Sequence, residues 1–192
     1  HGETTGMKLV SLLLALGLLA VLAKTLFFSF RAQDPADYAE TGPAFSLKQH
    51  LSGELISEGL IFGPTGKMST SFVARMVGEW DGDTGTLSES FTYSDGRVQK
   101  RKWFLTLGEG NSFTATADDI VGEAQGTLSG ATMRLHYTIV LPEDAGGHTL
   151  NATDWLYLTA DGVIMNKSEM RKYGIKVAEL VATMRPAGEA PQ

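Results

Sequence analysis

Residues 87–107 read LSESFTYSDGRVQKRKWFLTL, and this stretch decides the fold. Two runs with alternating apolar residues flank the turn signal Ser94-Asp95-Gly96, a pattern that predicts an antiparallel β-hairpin. Side chains alternate between the two faces of a strand, so each run has one face that can be assigned directly. These faces comprise Leu87, Glu89, Phe91 and Tyr93 in the first run and Arg101, Trp103, Leu105 and Leu107 in the second.

The length of the turn sets the register of this hairpin. A two-residue turn would bury mismatched faces, whereas a three-residue loop with Gly96 in the left-handed conformation brings the two apolar faces together. In that register Leu87 lies opposite Trp103, and Glu89 lies opposite Arg101.

Similar alternating runs, separated by Gly-rich turns, continue through the rest of the chain. The candidate strands are 53–62, 67–80, 85–93, 97–107, 112–118, 121–129, 131–141, 148–158, 162–167 and 174–184. Short strands joined by hairpins predict a mainly β fold, either a sandwich or an antiparallel up-and-down barrel of the calycin or lipocalin type. We favour the barrel because it closes its own edges. A helix is the alternative for the last run.

The predicted Glu89–Arg101 pair would lie on an otherwise apolar, inward face of the barrel. We favour a structural ion pair, and the alternative is a pair that orients a ligand. An unpaired charge in this position is costly, so both interpretations predict strong dependence on both partners.

The N-terminal part of the chain is apolar. Residues 9–30 contain one charge, Lys24, and their length is sufficient to span a membrane. The expected organisation is an N-terminal transmembrane helix or uncleaved signal at 7–31, a linker at 32–44, a barrel at 45–185 and a flexible tail at 186–192.

A cleavable signal sequence is the alternative to an anchor. Met7-Lys8 resembles a translation start with a basic residue, and Val21-Leu22-Ala23 resembles an imperfect cleavage site. We favour the uncleaved anchor. This signal-like organisation predicts a location in the bacterial inner membrane with the β domain in the periplasm.

Composition excludes several kinds of site. The 192 residues contain no cysteine, so disulfides, thiol nucleophiles and Cys zinc sites are absent. The net charge of −6, without a basic footprint, argues against nucleic-acid binding. The four histidines lack metal-ligand spacing, and nucleophile, phosphate-loop and dinucleotide motifs are missing. We therefore predict no catalytic residue, metal or cofactor, and rank an enzyme last.

Three further residues are candidates for the barrel interior. His136 alternates with Arg134 and Thr138 and is placed toward the lumen, although a lone strand histidine is more often a structural hydrogen-bonding residue. Trp155 and Tyr157 share one face, which indicates core packing or the aromatic wall of a cavity. The full set of candidate ligand-binding residues is Glu89, Phe91, Arg101, Trp103, His136, Trp155 and Tyr157.

Short motifs in a characteristic order extend through residues 44–185. They are Trp80, LSESFTYSDG (87–96), RKW (101–103), ADDIVGEAQG (117–126), DWLYL (154–158), Asn166 and KYG (172–174). In this order they resemble domain-of-unknown-function family 3833, which consists largely of predicted proteobacterial lipoproteins. The resemblance implies a small envelope-associated β domain of unknown activity. Family members often carry a lipidated cysteine, and here the membrane segment would replace that acyl anchor.

Two functional hypotheses follow. The first is a membrane-tethered barrel that binds an apolar or lipid-like ligand, since barrels of eight to ten strands can enclose a small cavity. The alternative is an accessory subunit whose helix packs into a larger integral membrane protein complex. The expected partners are thus the membrane, a lipid ligand or such a complex.

Overall fold

The computed structural model describes residues 2–188, which form two compact units, residues 2–37 and residues 38–188. The first unit contains helix α1 (Gly2–Phe27) and a short 3₁₀ helix (Phe30–Ala32). Residues 4–27 contain an 18-residue window with a mean hydropathy of 2.3, so α1 is long and apolar enough to cross a membrane, a property that a signal sequence shares. The helix starts before the predicted apolar run and ends at Phe27, because Ser29 caps the 3₁₀ turn that follows.

The second unit is a closed antiparallel barrel. Within the described residues its strands are β1 (Gly53–Phe62), β2 (Met68–Asp81), β3 (Thr84–Tyr93), β4 (Val98–Leu107), β5 (Ser112–Thr116), β6 (Ala124–Ser129), β7 (Thr132–Val140), β8 (Thr149–Leu158), β9 (Ile164–Lys172) and β10 (Ile175–Pro186). Each strand pairs with its neighbours in the chain, and β10 closes the barrel against β1. This confirms the predicted up-and-down barrel and removes every sheet edge.

The hairpin of β3 and β4 has the predicted register. Leu87 pairs with Trp103 and Glu89 pairs with Arg101. The loop closes with a bond from the Tyr93 N–H to the Arg97 carbonyl, at 2.9 Å, and Gly96 has a φ of 88°. The last candidate run is strand β10, as preferred over a helix.

Residues 38–52 close one end of the barrel. Phe45, Leu47 and Leu51 are buried there, around the four-residue helix α2 (Leu47–His50). The Leu51 carbonyl accepts a hydrogen bond from the Trp80 indole at 3.0 Å and lies so close to Gly78 that a Cβ atom would be 1.9 Å away. This close approach requires glycine at position 78, and it allows residues 38–52 to pack directly against β2.

The other end of the barrel is formed by loops. In an up-and-down barrel successive connections lie at alternate ends, so residues 63–67, 94–97, 117–123, 141–148 and 173–174 share the end opposite α2. Of the predicted linker, residues 38–44 belong to the barrel unit. Of the predicted tail, Ala187 still bonds to Glu54, and residues 189–192 lie outside the described part.

Candidate functional site

A cavity of about 670 Å³ runs along the inside of the barrel. Leu51 lies at its closed end, and Pro64, Arg97 and Asp144 line it at the loop end. The side chains of Arg97 and Asp144 are 40% and 61% exposed, so the cavity opens to solvent between these loops. A volume of this size is typical of small-molecule sites.

Most of the cavity wall is apolar. Within the described residues it comprises inward-facing side chains from nine of the ten strands, and its buried members include Phe72, Met76, Leu87, Trp103, Leu105, Phe113, Met133, Leu135 and Leu156. A lining of this kind favours the transfer of an apolar group from water.

A polar cluster interrupts this wall. We call it the buried polar cluster, and it consists of Glu89 (β3), Arg101 (β4), Asp119 (between β5 and β6), Tyr137 (β7) and Asp154 (β8). Asp119 reaches it because residues 119–121 bond to β7: the Asp119 carbonyl accepts from the Val140 N–H at 2.8 Å. The cluster therefore joins four strands and one loop segment around a common interior position.

Arg101 is held mainly by Asp119. Its Nε and Nη2 atoms donate to the two carboxylate oxygens of Asp119 at 2.6 and 2.8 Å, a bidentate geometry. Its Nη1 atom donates to Glu89 Oε2 at the longer distance of 3.4 Å. Although burial opposes the charged form, the hydrogen bonds that Arg101 donates to Asp119 and the charge of Glu89 raise the pKa of Arg101 above its usual value. Arg101 thus remains charged.

Glu89 is the carboxyl group with the weaker partner. Burial raises its pKa to about 7, because the loss of hydration outweighs the attraction of Arg101, and Asp154 and Asp119 add repulsion. Glu89 is therefore partly protonated near neutral pH, when it can either donate or accept a hydrogen bond.

Tyr137 and Asp154 form a second buried pair. The Tyr137 hydroxyl lies 2.9 and 3.1 Å from the Asp154 carboxylate oxygens. Burial raises the pKa of Asp154, although the hydroxyls of Ser168 and Tyr137 stabilise its charged form. Burial also raises the pKa of Tyr137 well above its ordinary value, so its hydroxyl stays a neutral donor. The Trp103 ring packs edge-on against Tyr137 at 5.4 Å.

The structure separates the predicted site residues into two groups. Glu89, Phe91, Arg101 and Trp103 line the cavity together, and their binding of a ligand stays a prediction.

His136, Trp155 and Tyr157 lie on the outer face of the barrel, which corrects their expected placement. Their strand neighbours Leu135, Tyr137 and Leu156 point into the cavity. Because successive side chains of a strand point to opposite faces, these three residues point outward. His136 Nδ1 lies 2.8 Å from the Thr153 hydroxyl. Trp155 is 1% exposed because Tyr38 covers it, with the two ring centres 5.3 Å apart.

Sequence reasoning missed three members of the buried polar cluster. For Asp154 a signal was present, since it shares a face with Leu156 and Leu158, whereas Trp155 and Tyr157 formed a competing apolar face. Tyr137 would have followed from placing Leu135 inward. Asp119 carried no usable signal, because its direction depends on a loop that pairs with β7. Within residues 2–188, no three acidic or histidine side chains are grouped to hold a metal ion.

Comparison with solved structures identifies the barrel type. The S-type phycobiliprotein lyase CPES from Guillardia theta superposes with a TM-score of 0.58 at 10% identity, over 83% of this chain and 99% of that one. A protein of unknown function from the DUF3598 family of Nostoc punctiforme gives 0.54 at 13% identity, over 76% and 51% of the two chains. Rv2717c from M. tuberculosis gives 0.51 at 16% identity, over 77% and 99%. These similarities show a lipocalin-like fold.

Comparison with curated proteins gives no match. A family match does cover most of the chain, from residue 24 to residue 186, and so includes every strand of the barrel and the buried polar cluster. The chain therefore belongs to the family described as protein of unknown function, DUF3833.

Proposed function

We propose that the barrel is a binding module for an amphiphilic, lipid-like molecule. The observation that carries this proposal is the open cavity of about 670 Å³ with an apolar wall and a buried polar cluster. An apolar chain would pack against residues such as Leu105 and Phe113, and a polar group would reach Glu89. Ligand sites generally combine a hydrophobic lining with a few placed polar groups in this way.

The proposal includes a location. Helix α1 would anchor the protein in the bacterial inner membrane with the barrel in the periplasm. Its apolar segment of 24 residues supports a spanning role. Lys24 lies in the last turn of α1 and Arg31 follows the helix, and both would reach the headgroup region.

Native mass spectrometry of the detergent-extracted full chain tests the binding function. The key variant is Ala178→Trp, since Ala178 lines the cavity on β10 and a tryptophan would fill part of it. The matched control is Met165→Trp, because Met165 lies on the outer face of β9 and is 37% exposed. Thermal melting confirms that both variants are folded.

We expect a lipid-sized adduct on the wild type and on Met165→Trp, and its loss from Ala178→Trp. Equal adducts on both variants would mean that the lipid surrounds α1 rather than fills the barrel, and absence of adducts from all three would contradict a stable lipid complex.

A further inference from the structure

We propose that the cavity selects amphiphiles whose head group donates hydrogen bonds and carries no negative charge. This inference rests on the binding function proposed above and adds the chemical class of the ligand. It follows from three features of the cavity: an occupied arginine, an excess of carboxyl groups and unused hydrogen-bonding atoms.

The arginine that an anionic head group would require is already occupied. Arg101 gives two short hydrogen bonds to Asp119 and a longer one to Glu89, and its guanidinium lies over the Trp103 ring at 4.9 Å. Its side chain is 14% exposed. An incoming carboxylate or phosphate would have to displace a carboxylate of the protein, which gains no net ion pair.

The second cation of the wall is occupied as well. Among the described residues that line the cavity, Arg97 is the other cationic side chain. It lies at the mouth, where it pairs with Asp95 at 2.8 Å and with Asp144 at 3.3 Å. The charge of Arg97 is solvent-exposed and already neutralised by two carboxylates, so it would attract an entering anion only weakly.

The charge balance of the interior excludes anions. The described part of the cluster contains three carboxyl groups, from Glu89, Asp119 and Asp154, and a single guanidinium, that of Arg101. With all three ionised, the cluster carries a net charge of −2; with Glu89 and Asp154 protonated, it is neutral. As long as Asp119 is ionised there is no excess positive charge, and repulsion between like charges is strong in a low-dielectric interior.

Polar atoms without partners point to a donor on the ligand. The Ser57 side chain is 1% exposed, lines the cavity and makes no hydrogen bond within residues 2–188. Oε1 of Glu89 likewise makes no hydrogen bond in the described chain, because the one hydrogen bond of this side chain is made through Oε2. Both side chains line the cavity, and a serine hydroxyl and an ionised carboxylate can each accept a hydrogen bond, so a hydroxyl, amide or ammonium group of a ligand would bond to them.

Calorimetric titration of the full chain in lipid nanodiscs tests this selection. The three probes share an eight-carbon chain and differ in the head group: octylammonium, octanol and octanoate, all at pH 8. Titrations of the cavity-filling variant Ala178→Trp are subtracted to remove partitioning into the nanodisc lipid. The variant Glu89→Gln keeps the shape of the site and removes the negative charge.

We expect octylammonium and octanol to bind at least about tenfold more tightly than octanoate. In Glu89→Gln, the affinity for octylammonium should fall by about fivefold or more, while that for octanol changes little. Octanoate binding as tightly as octanol would overturn the charge selection and leave the binding function intact. If none of the probes binds above the Ala178→Trp background, the binding function itself fails, and the selection with it.

Discussion

Replacing Arg101 with methionine is expected to destabilise the barrel strongly. Methionine has a similar length, so the main loss is the positive charge, together with its contact over the Trp103 ring at 4.9 Å. The side chains that lose their partner are Glu89, which is 6% exposed, and Asp119, which is 21% exposed. Removing one partner of a buried ion pair costs about 3–5 kcal/mol, since it leaves an uncompensated charge.

The loss of stability caused by Arg101→Met should depend on pH. Glu89 already has its pKa raised to about 7, so without Arg101 it takes up a proton readily and becomes neutral at low pH. Asp119 is partly exposed and can recover some hydration. We therefore expect a loss near the upper end of the range at pH 8 and near the lower end at pH 5.5. The double variant Arg101→Met, Glu89→Met should recover much of the loss.

Unfolding of the full chain by guanidinium chloride in mild detergent measures these free energies of unfolding. The matched control is Arg97→Met, whose side chain is 40% exposed and whose ion pairs lie at the mouth, so its loss should be within about 1 kcal/mol. A change of less than about 0.5 kcal/mol for Arg101→Met would refute the assignment of a buried, energetically coupled cluster.

Three further predictions concern the pH dependence, the core and the topology. The pKa of Glu89 is about 7 in the folded protein, whereas its ordinary value is 4.5. The folded state therefore binds this proton more tightly than the unfolded state does. The resulting stabilisation is complete below pH 4.5 and is lost as the pH rises through 7. The free energy of unfolding should accordingly fall by up to about 3 kcal/mol between pH 5 and pH 8, and Glu89→Gln should flatten that part of the curve; an unchanged slope would contradict the raised pKa. Gly126→Ala should cost about 1–3 kcal/mol, since its Cβ would lie 2.2 Å from the buried Phe113 ring, whereas Gly188→Ala, with open space around it, should change little. Protease added to spheroplasts should remove the barrel from the membrane, and protection until the inner membrane is opened would reject the periplasmic location.

The hairpin around Ser94-Asp95-Gly96 could be derived from the sequence to the level of individual pairs. Its two strands each have one face that is clearly more apolar, so the register that joins those faces is unique. The opposition of Glu89 and Arg101 followed from local pattern and turn length alone. Their burial also followed, because the face that carries them is otherwise apolar.

Strand β8 shows where that reasoning fails. Both of its faces are apolar, with Trp155 and Tyr157 on one and Leu156 and Leu158 on the other. Period two separates the faces but does not say which one lines the cavity. The outcome depends on Tyr38, far away in the chain, which covers Trp155 and allows an aromatic residue to be buried on the outside of the barrel.

The sequence by itself determined the β-barrel, its strand order, the β3–β4 register and an apolar N-terminal segment, because alternation, turn residues and apolar length act locally. Only the tertiary structure decided the composition of the cavity. Asp119 enters through a loop that bonds to β7, Asp154 and Tyr137 arrive from later strands, and residues 38–52 close the opposite end. These contacts join segments distant in the chain, and whether an acid there is charged depends on how many partners share its enclosed space.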